Sequence, residues 1–316
     1  MRVPGTREIL AARGPKAAVD PQRPYGFFIE RERSADGRIV DVAVVLLTNR
    51  ECPWKCLMCD LWRHTLDERT PLGAIPAQLD YALERLPPAE QIKLYNAGNF
   101  FDPQAIPAED HAAIAARLQP FARVIVENHP RLCGPRVLDF QQRLGKPLEV
   151  ALGLETVHPE VLPRLNKGMT VEDYDRAVRF LVREGVDVRT FLLLRPPYLS
   201  EDEGIAWALR SLAHAFAQGS AAASVIPTRP GNGALDALLA EGLFTPPRLA
   251  SLSRVLERAL AEYAPGRRVW ADLWEARRFA ACGDCAERQL ARLEQMNLEQ
   301  RVLPGVACAE CDFDGV

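Results

Sequence analysis

The stretch DVAVVLLTNRECPWKCLMCDLW, residues 41–62, decides the fold. Its first half is a β-branched apolar run that predicts a buried strand ending at Thr48, and the loop that follows carries Cys52, Cys56 and Cys59. Three thiolates at C-x3-C-x2-C spacing can ligate three irons of a cubane cluster and leave the fourth iron without a protein ligand. Structural zinc normally takes four protein ligands, and His64 is the one histidine near enough in sequence to join. The motif therefore favours an iron–sulfur site just beyond a strand.

Apolar runs on both sides of this stretch predict the rest of the sheet. Before it, GFFIERER and the turn SADGR predict a hairpin with the run at 42–48. After it, five nearly continuous apolar runs are typical of strands buried on both faces of a parallel sheet. They are QIKLYN, RVIVEN, LEVALGLE, VDVRTFLLL and AAASVIP. The pattern of residues 171–183 predicts a helix. Thr170 and Asp173 would cap its start, and Gly185 would end it.

Six strands joined by helical crossovers predict an α/β fold, a partial (βα)6 TIM-like barrel. We expect three parts: a leader and hairpin strand at 1–37, the partial barrel at 38–235, and a small helical C-terminal metal-binding extension at 236–316. In the last part strands are expected to stop, with helical segments around Trp270 and Trp274. Ligands of such sheets bind at the carboxyl ends of the strands, so residues there are the site candidates.

Composition sets limits on the class of protein. The formal net charge of -3 gives no general attraction to nucleic acid, although a local basic groove is compatible with it. No stretch approaches the roughly 20 apolar residues of a membrane span, and the N-terminus lacks the apolar core of a secretion signal. We therefore expect a cytoplasmic protein with no membrane partner. Reduced thiols are the rule there, so the tight groups among its 8 cysteines indicate metal rather than disulfides.

With its cysteine spacing after the first barrel strand, the sequence resembles the radical S-adenosylmethionine (SAM) superfamily. The resemblance implies a [4Fe-4S] cluster on Cys52, Cys56 and Cys59, with SAM bound at the open iron. One-electron cleavage of SAM would then give methionine and a 5′-deoxyadenosyl radical that abstracts hydrogen from a substrate. Met58 stands where the family usually has an aromatic residue, and it is apolar enough to cover the adenine.

The same resemblance assigns residues at the strand ends to SAM. Asn96, Ala97, Gly98 and Asn99 match the loop that receives the methionine amino group. The segments VENHP and GLETVHPEVLPRLNKGMT resemble the subgroup with coproporphyrinogen oxidases, elongator-type enzymes and methylthiotransferases. The resemblance to this subgroup implies that Glu127 and Glu155 face SAM and that Glu155 binds the ribose. It also implies that Lys167 pairs with the SAM carboxylate. The remaining implied contacts are Arg195 after the fifth strand and Ile226, Pro227 and Thr228 beside the adenine.

Several polar residues near these positions have two interpretations. Arg229 and Asn232 could line the substrate side or solvate a Gly-rich loop. His129 and His158 each precede a proline, where local hydrogen bonding is the commoner role. Cys133 could donate hydrogen to a radical or be a packing residue. No catalytic residue is assigned from the sequence.

Four further cysteines form a second constellation near the C-terminus. Cys282 and Cys285 are followed by Cys308 and Cys311, a C-x2-C…C-x2-C pattern that indicates metal. A structural zinc ion would clamp the tail onto the preceding helix, and an auxiliary [4Fe-4S] cluster would use the same thiolates. The spacing does not decide between them.

Four segments taken together are most similar to the family of archaeosine synthase radical SAM subunits and their bacterial relatives. They are TNRECPW, YNAG, GLETVHPEVLPRLNKGMT and IPTRPGNG. That resemblance implies a lysine-modified deazaguanine base in tRNA as substrate, a partner subunit, and a reductase, flavodoxin or ferredoxin as electron donor. A small-molecule or peptide substrate is the alternative within the superfamily. A non-catalytic iron–sulfur or zinc protein, such as an electron carrier, is the alternative from another class.

Overall fold

One curled sheet of eight strands organises the molecule. The computed structural model describes residues 3–308. The strands lie in the sheet in chain order, the first two antiparallel and all later neighbours parallel. They are β1 (Gly26–Arg33), β2 (Ile39–Leu47), β3 (Gln91–Asn96), β4 (Arg123–Asn128), β5 (Leu148–Glu155), β6 (Asp187–Leu194), β7 (Ala222–Pro227) and β8 (Arg268–Ala271). The predicted α/β partial barrel is confirmed.

Helices connect the parallel strands and cover the outside of the sheet. Those of the described residues are α1 (Thr6–Ala11), α2 (Ala74–Leu83), α3 (His111–Arg117), α4 (Pro135–Leu144), α5 (Val161–Arg164), α6 (Val171–Arg183), α7 (Glu201–Gln218), α8 (Ala234–Ala240), α9 (Leu249–Tyr263) and α10 (Gly283–Glu299). Helix α6 begins as predicted: Asp173 N donates to Thr170 Oγ1 at 3.3 Å, and Thr170 N donates to the Asp173 carboxylate at 3.0 Å.

The expectation that strands stop before the C-terminal part is wrong. Residues 268–271 form β8, which pairs in parallel with β7 and extends the sheet by one strand. Trp270 lies within β8, and Trp274 follows it in an exposed loop. The six predicted parallel strands are all present as β2 to β7, and the predicted hairpin pairs Gly26 with Leu46 through Arg33 with Ile39.

The two faces of the sheet have different chemistry. On β5, the residues Leu148, Val150, Leu152 and Leu154 pack into the main apolar core beneath the helices. Their alternates, among them Glu149 and Glu155, face the inside of the barrel, which we call the lumen. The same alternation holds on β8, where Val269 and Ala271 join the core and Arg268 and Trp270 take the lumen side.

Buried charges close the bottom of the lumen. Arg189 of β6 donates to Glu32 of β1 at 2.9 and 2.5 Å and to Glu149 of β5 at 2.6 Å. Lys93 of β3 also donates to Glu32. Since β1, β3 and β6 are not neighbours in the sheet, these bonds cross the lumen and show that the sheet curls.

Helix α10 protects the free edge of β8. The Gln300 side chain accepts from Val269 N at 2.8 Å and donates to Val269 O at 2.7 Å. Asn297 makes the equivalent pair with Ala271, at 2.9 and 2.8 Å. The two side-chain amides thus bond the backbone N–H and C=O groups of β8 that a further strand would otherwise pair with. Within residues 3–308, none of the helices is both long and apolar enough to cross a membrane.

Candidate active site

The loop of residues 49–60, called the cysteine loop here, follows β2 directly and carries Cys52, Cys56 and Cys59 at the carboxyl end of the sheet. Hydrogen bonds from distant elements hold its backbone. Leu57 N donates to Leu165 O at 2.8 Å, and Asn232 Nδ2 donates to Leu57 O at 2.8 Å and to Cys59 O at 3.3 Å. Asn232 thus supports the loop from beyond β7, a role that the sequence left open.

The three thiols of the cysteine loop are partly buried, and their sulfurs do not all lie within 4.8 Å of one another. Among residues 3–308, the group whose sulfurs all lie within 4.8 Å of one another is a different one, at the C-terminus. Cysteine sulfurs around a cubane are wider apart, at roughly 6 Å. Burial raises the pKa of all three thiols, that of Cys56 to about 12. Their thiolates therefore require neighbouring positive charge, which irons would supply.

The loop after β3 meets the cysteine loop. Asn99 Nδ2 donates to Cys52 Sγ at 3.3 Å. At Gly98 a Cβ would lie 3.0 Å from Asn49 Nδ2 and 3.5 Å from Arg50 O, so a larger residue would press against the Asn49 side chain. Both side-chain amide atoms of Asn96 and the Asn49 Oδ1 are buried, and none has a partner among the described residues. Unpaired buried polar atoms where β2 and β3 end suit a polar ligand such as the amino acid end of SAM.

Glu127, at the end of β4, supports this loop from below. Its carboxylate accepts from Asn96 N at 2.7 Å. Burial raises the pKa of Glu127 to about 8, so the group lies between its neutral and charged forms near neutral pH. A carboxyl in that state ionises readily when a cation arrives beside it.

Glu155 and Lys167 form a buried ion pair at the end of β5. Lys167 Nζ lies 2.7 Å from Glu155 Oε1. Glu155 has a φ of 67°, a left-handed conformation that non-glycine residues adopt mainly where function or packing imposes it. Lys167 also lies close enough to Cys52 and Cys56 to lower their thiol pKa against the effect of burial. A carboxylate and an ammonium therefore stand side by side next to the cysteine loop.

His129 and His158 serve local structure. His129 Nδ1 accepts from Arg131 N at 3.2 Å and its Nε2 lies 3.1 Å from Lys167 O, while its ring stacks on Trp54 at 3.7 Å. Burial lowers the pKa of His129 to about 3, so the ring is neutral and donates from Nε2. His158 Nδ1 accepts from Glu160 N at 3.1 Å and Val161 N at 3.3 Å. Cys133 lies beside Asn128, whose Nδ2 is 3.6 Å from its sulfur.

An apolar wall borders the cysteine loop on the β6 and β7 side. Met58 and Ile226 pack against one small core group that contains Leu193. Thr228 is buried, and its N and Oγ1 donate to Leu194 O at 3.1 and 2.9 Å. Pro227 ends β7 between them. The predicted adenine contacts Met58, Ile226, Pro227 and Thr228 therefore come together with Ala97 and Gly98 at the same end of the sheet.

Two predicted or candidate arginines are engaged elsewhere. Arg195 Nη1 donates to Glu201 Oε2 at 2.5 Å and to Pro246 O at 3.0 Å, and neither partner belongs to the cysteine loop. Arg229 donates to Asp272 at 2.8 Å and to Trp274 O at 2.7 Å, which fixes the loop after β8.

The leader contributes to the site, which the sequence analysis did not foresee. Ile9 of α1 belongs to the same small buried core group as the fully buried Leu57 of the cysteine loop. Arg13 and Lys16 lie 2.7 and 2.9 Å from the carboxylate of Glu51, and Lys55 lies 2.6 Å from the same group. These contacts join residues far apart in sequence and have no local periodicity, so no pattern could reveal them.

The C-terminal cysteines do converge. Cys282, Cys285 and Cys308 have sulfurs within 4.8 Å of one another, and the sulfurs of Cys282 and Cys308 are 3.8 Å apart. Cys282 caps α10 and Cys285 lies in its first turn, where the helix dipole favours thiolates. Cys311 lies outside the described residues.

Comparison with known proteins decides the family. The model of the radical SAM superfamily matches residues 46–206, just over half of the chain. The chain is a radical SAM enzyme. Membership implies a [4Fe-4S] cluster and SAM, and the thiols, unpaired polar atoms and apolar wall described above fit both groups.

Individual relatives agree with this assignment. The chain is 27% identical over 231 residues to the archaeosine synthase subunit beta of Methanosarcina acetivorans, covering 69% of this chain and 67% of that protein. Methylornithine synthase (PylB) shares the fold with a TM-score of 0.56 at 16% identity, over 86% of this chain and 77% of that one. Elp3 of Methanocaldococcus infernus has a TM-score of 0.53 at 16% identity, over 81% and 63%.

Proposed function

We propose that Cys52, Cys56 and Cys59 hold the [4Fe-4S] cluster and that the enzyme acts on a modified base in tRNA. A reduced cluster held by these residues would supply the electron that splits SAM into methionine and a 5′-deoxyadenosyl radical, and this radical would abstract hydrogen from the substrate. The observation that carries the cofactor assignment is the contact between Asn99 and Cys52, since it joins the cysteine loop to the loop after β3.

The chain's own residues would hold SAM in this site. Asn96, Ala97, Gly98 and Asn99 offer amide groups and backbone carbonyls to the methionine amino group. Glu127 ionises beside that ammonium. Lys167 neutralises the carboxylate, Glu155 accepts from the ribose hydroxyls, and Met58 with Ile226, Pro227 and Thr228 covers the adenine. We do not carry Arg195 into this set because its guanidinium is held by Glu201 and Pro246 O.

Similarity to an archaeosine synthase subunit supports the substrate class. Because that relative is named as a subunit, we also propose that a partner chain works with this enzyme. An external reductase, flavodoxin or ferredoxin would supply the electron.

We further propose that the C-terminal site holds zinc. Four thiolates about 2.3 Å from one zinc ion lie about 3.8 Å apart. The distance between Cys282 Sγ and Cys308 Sγ has this value, and cubane ligands would be roughly 6 Å apart. The C-x2-C spacing makes Cys311 the fourth ligand in this proposal.

Reductive cleavage of SAM tests the enzymatic proposal. Anaerobically reconstituted protein should form 5′-deoxyadenosine from SAM with dithionite, measured by chromatography, and more of it with tRNA carrying the lysine-modified deazaguanine base. Cys56→Ala should form none, while the matched variant Cys133→Ala should retain activity. An electron carrier would form no 5′-deoxyadenosine at all, and that result would remove the enzymatic proposal.

A further inference from the structure

The two edge strands of the curled sheet, β1 and β8, do not pair with each other, and helix α10 packs against both. At the bottom of the lumen Glu32 of β1 reaches Arg189 of β6. Nearer the cysteine loop, two aromatic rings meet between the edge strands: Phe28 of β1 and Trp274 after β8, with ring centres 6.2 Å apart and planes 28° apart. The start of β1 lies at this end of the barrel because Gly26 pairs with Leu46, near the end of β2.

Trp274 is held in place and yet exposed. Its side chain is 60% exposed, although tryptophan normally buries a large area. Its backbone is fixed on both sides: Trp274 N donates to Asp272 Oδ1 at 3.0 Å, and Trp274 O accepts from Arg229 at 2.7 Å. Asp272 N in turn donates to Val225 O of β7 at 2.8 Å. A largely exposed ring on a fixed backbone is suited to stack on another flat group.

The lumen behind this ring is also aromatic and contains an unused donor. Tyr95 of β3 and Phe191 of β6 meet edge to face across the lumen, with centres 5.9 Å apart. Trp270 lies on the lumen side of β8 under the guanidinium of Arg189 at 4.3 Å. It is 7% exposed, and its Nε1–H has no hydrogen-bond partner among the described residues. A buried indole N–H without a partner is costly unless a ligand accepts from it.

We propose that Trp274 is the stacking platform for a nucleobase of a polynucleotide substrate, and that Trp270 Nε1 donates to an acceptor on the edge of that base. This inference rests on the proposed function and names the residues that would receive its substrate. A nucleobase has both a flat π-face and hydrogen-bonding edges, and recognition of single bases in RNA uses both. A base must leave its stack to react inside a barrel, and an exposed ring at the edge of the barrel can hold that base while the attached polymer stays outside.

Binding of fluorescein-labelled tRNA that carries the lysine-modified deazaguanine base to the cluster-reconstituted enzyme tests the proposal by anisotropy. Trp274→Ala should raise the Kd roughly tenfold, the loss expected for one stacked base, whereas Trp274→Phe should stay close to wild type. Leu72→Ala is the control, since Leu72 is 62% exposed and equally apolar. The loss should persist at high salt, because stacking releases no counterions. Trp270→Phe, which keeps a ring but lacks the donor, should weaken binding several-fold.

The results distinguish the platform from the proposed substrate. If wild type binds this tRNA and Trp274→Ala binds it equally well, the platform is wrong while tRNA remains the substrate. If wild type forms 5′-deoxyadenosine but does not bind this tRNA, both the platform and the tRNA substrate are wrong. Unfolding curves of the variants show whether a loss comes from misfolding, and a Trp274→Ala protein less stable than Trp274→Phe with unchanged affinity would make the ring structural.

Discussion

At the scale of single residues, Gly153 allows the ion pair between Glu155 and Lys167, two residues that we propose bind SAM. A Cβ at this position would lie 2.2 Å from Glu155 Oε1 and 2.5 Å from Lys167 Nζ. The pair therefore rests directly on the backbone of β5, and the left-handed Glu155 turns its carboxylate back over that backbone. No side chain other than hydrogen fits beneath it.

We expect Gly153→Ala to separate Glu155 from Lys167. Breaking a buried pair leaves uncompensated charge and costs about 3–5 kcal/mol, so the free energy of unfolding should fall by at least about 2 kcal/mol. The Kd for SAM should rise tenfold or more. Gly134→Ala is the control, because nothing lies within 4 Å of its added Cβ and its φ of -175° suits any residue. Equal stability and SAM affinity of the two variants would contradict the argument.

Glu127 predicts a pH dependence of stability. Burial raises its pKa from 4.5 to about 8, so between these values the folded protein holds a proton that the unfolded chain has lost. The free energy of unfolding of the SAM-free protein should therefore fall as pH rises through this window. Glu127→Gln is neutral at every pH and should flatten the dependence, as urea unfolding at a series of pH values would show. A slope that is the same in the variant would mean that Glu127 keeps an ordinary pKa.

At the scale of elements, the leader packs beside the cysteine loop. Helix α1 places Ile9 in the same buried core group as Leu57, and the chain then passes so close to Gly233 that a Cβ there would lie 1.9 Å from Ala12 O. Gly233 is also at a φ of 86°. The approach of the leader to the cysteine loop thus depends on a glycine more than 200 positions away in sequence.

Gly233→Ala should lift the leader from the cysteine loop without changing any cysteine. We expect the cluster absorbance to bleach several-fold faster in air and the leader to become sensitive to protease. Gly242→Ala is the matched control, since Gly242 also has a positive φ, of 72°, but nothing within 4 Å of its added Cβ. It carries the left-handed strain of about 1–2 kcal/mol without the clash. Similar bleaching rates in both variants would show that strain, not the leader, protects the cluster.

The sequence pattern predicts most of the strands but not all of them. Strands β2 to β7 are predicted because their apolar runs are long and nearly continuous. Strand β8 is missed because RVWA has four residues, one of them a lumen arginine, and its edge is completed by side chains of α10.

The cysteine loop and the strand-end polar residues are predictable because topology alone brings them to one edge. The leader contacts and the engagement of Arg195 by Glu201 depend on tertiary packing, which no local pattern records.

At the scale of the whole molecule, we assign different roles to the two thiol groups. The N-terminal group lies at the carboxyl ends of the strands, where Asn49 and Asn96 have buried polar atoms without a partner among the described residues, and this suits a bound ligand. The C-terminal group lies at the start of α10, whose other end holds the edge of β8. A closed tetrahedral ion there would fix the helix that completes the sheet, which is a structural rather than a redox task.

Metal analysis separates these roles in one experiment. Anaerobically purified wild type should contain about four irons and about one zinc per chain, measured by plasma mass spectrometry. Cys56→Ala should lose the iron and keep the zinc. Cys282→Ser should lose the zinc, keep the iron and unfold at a lower temperature, because zinc binding to a site formed only on folding contributes folding free energy. About eight irons with no zinc in wild type, and half of that iron left in Cys56→Ala, would establish an auxiliary cluster instead, and the 3.8 Å sulfur separation would then have to widen to accommodate it.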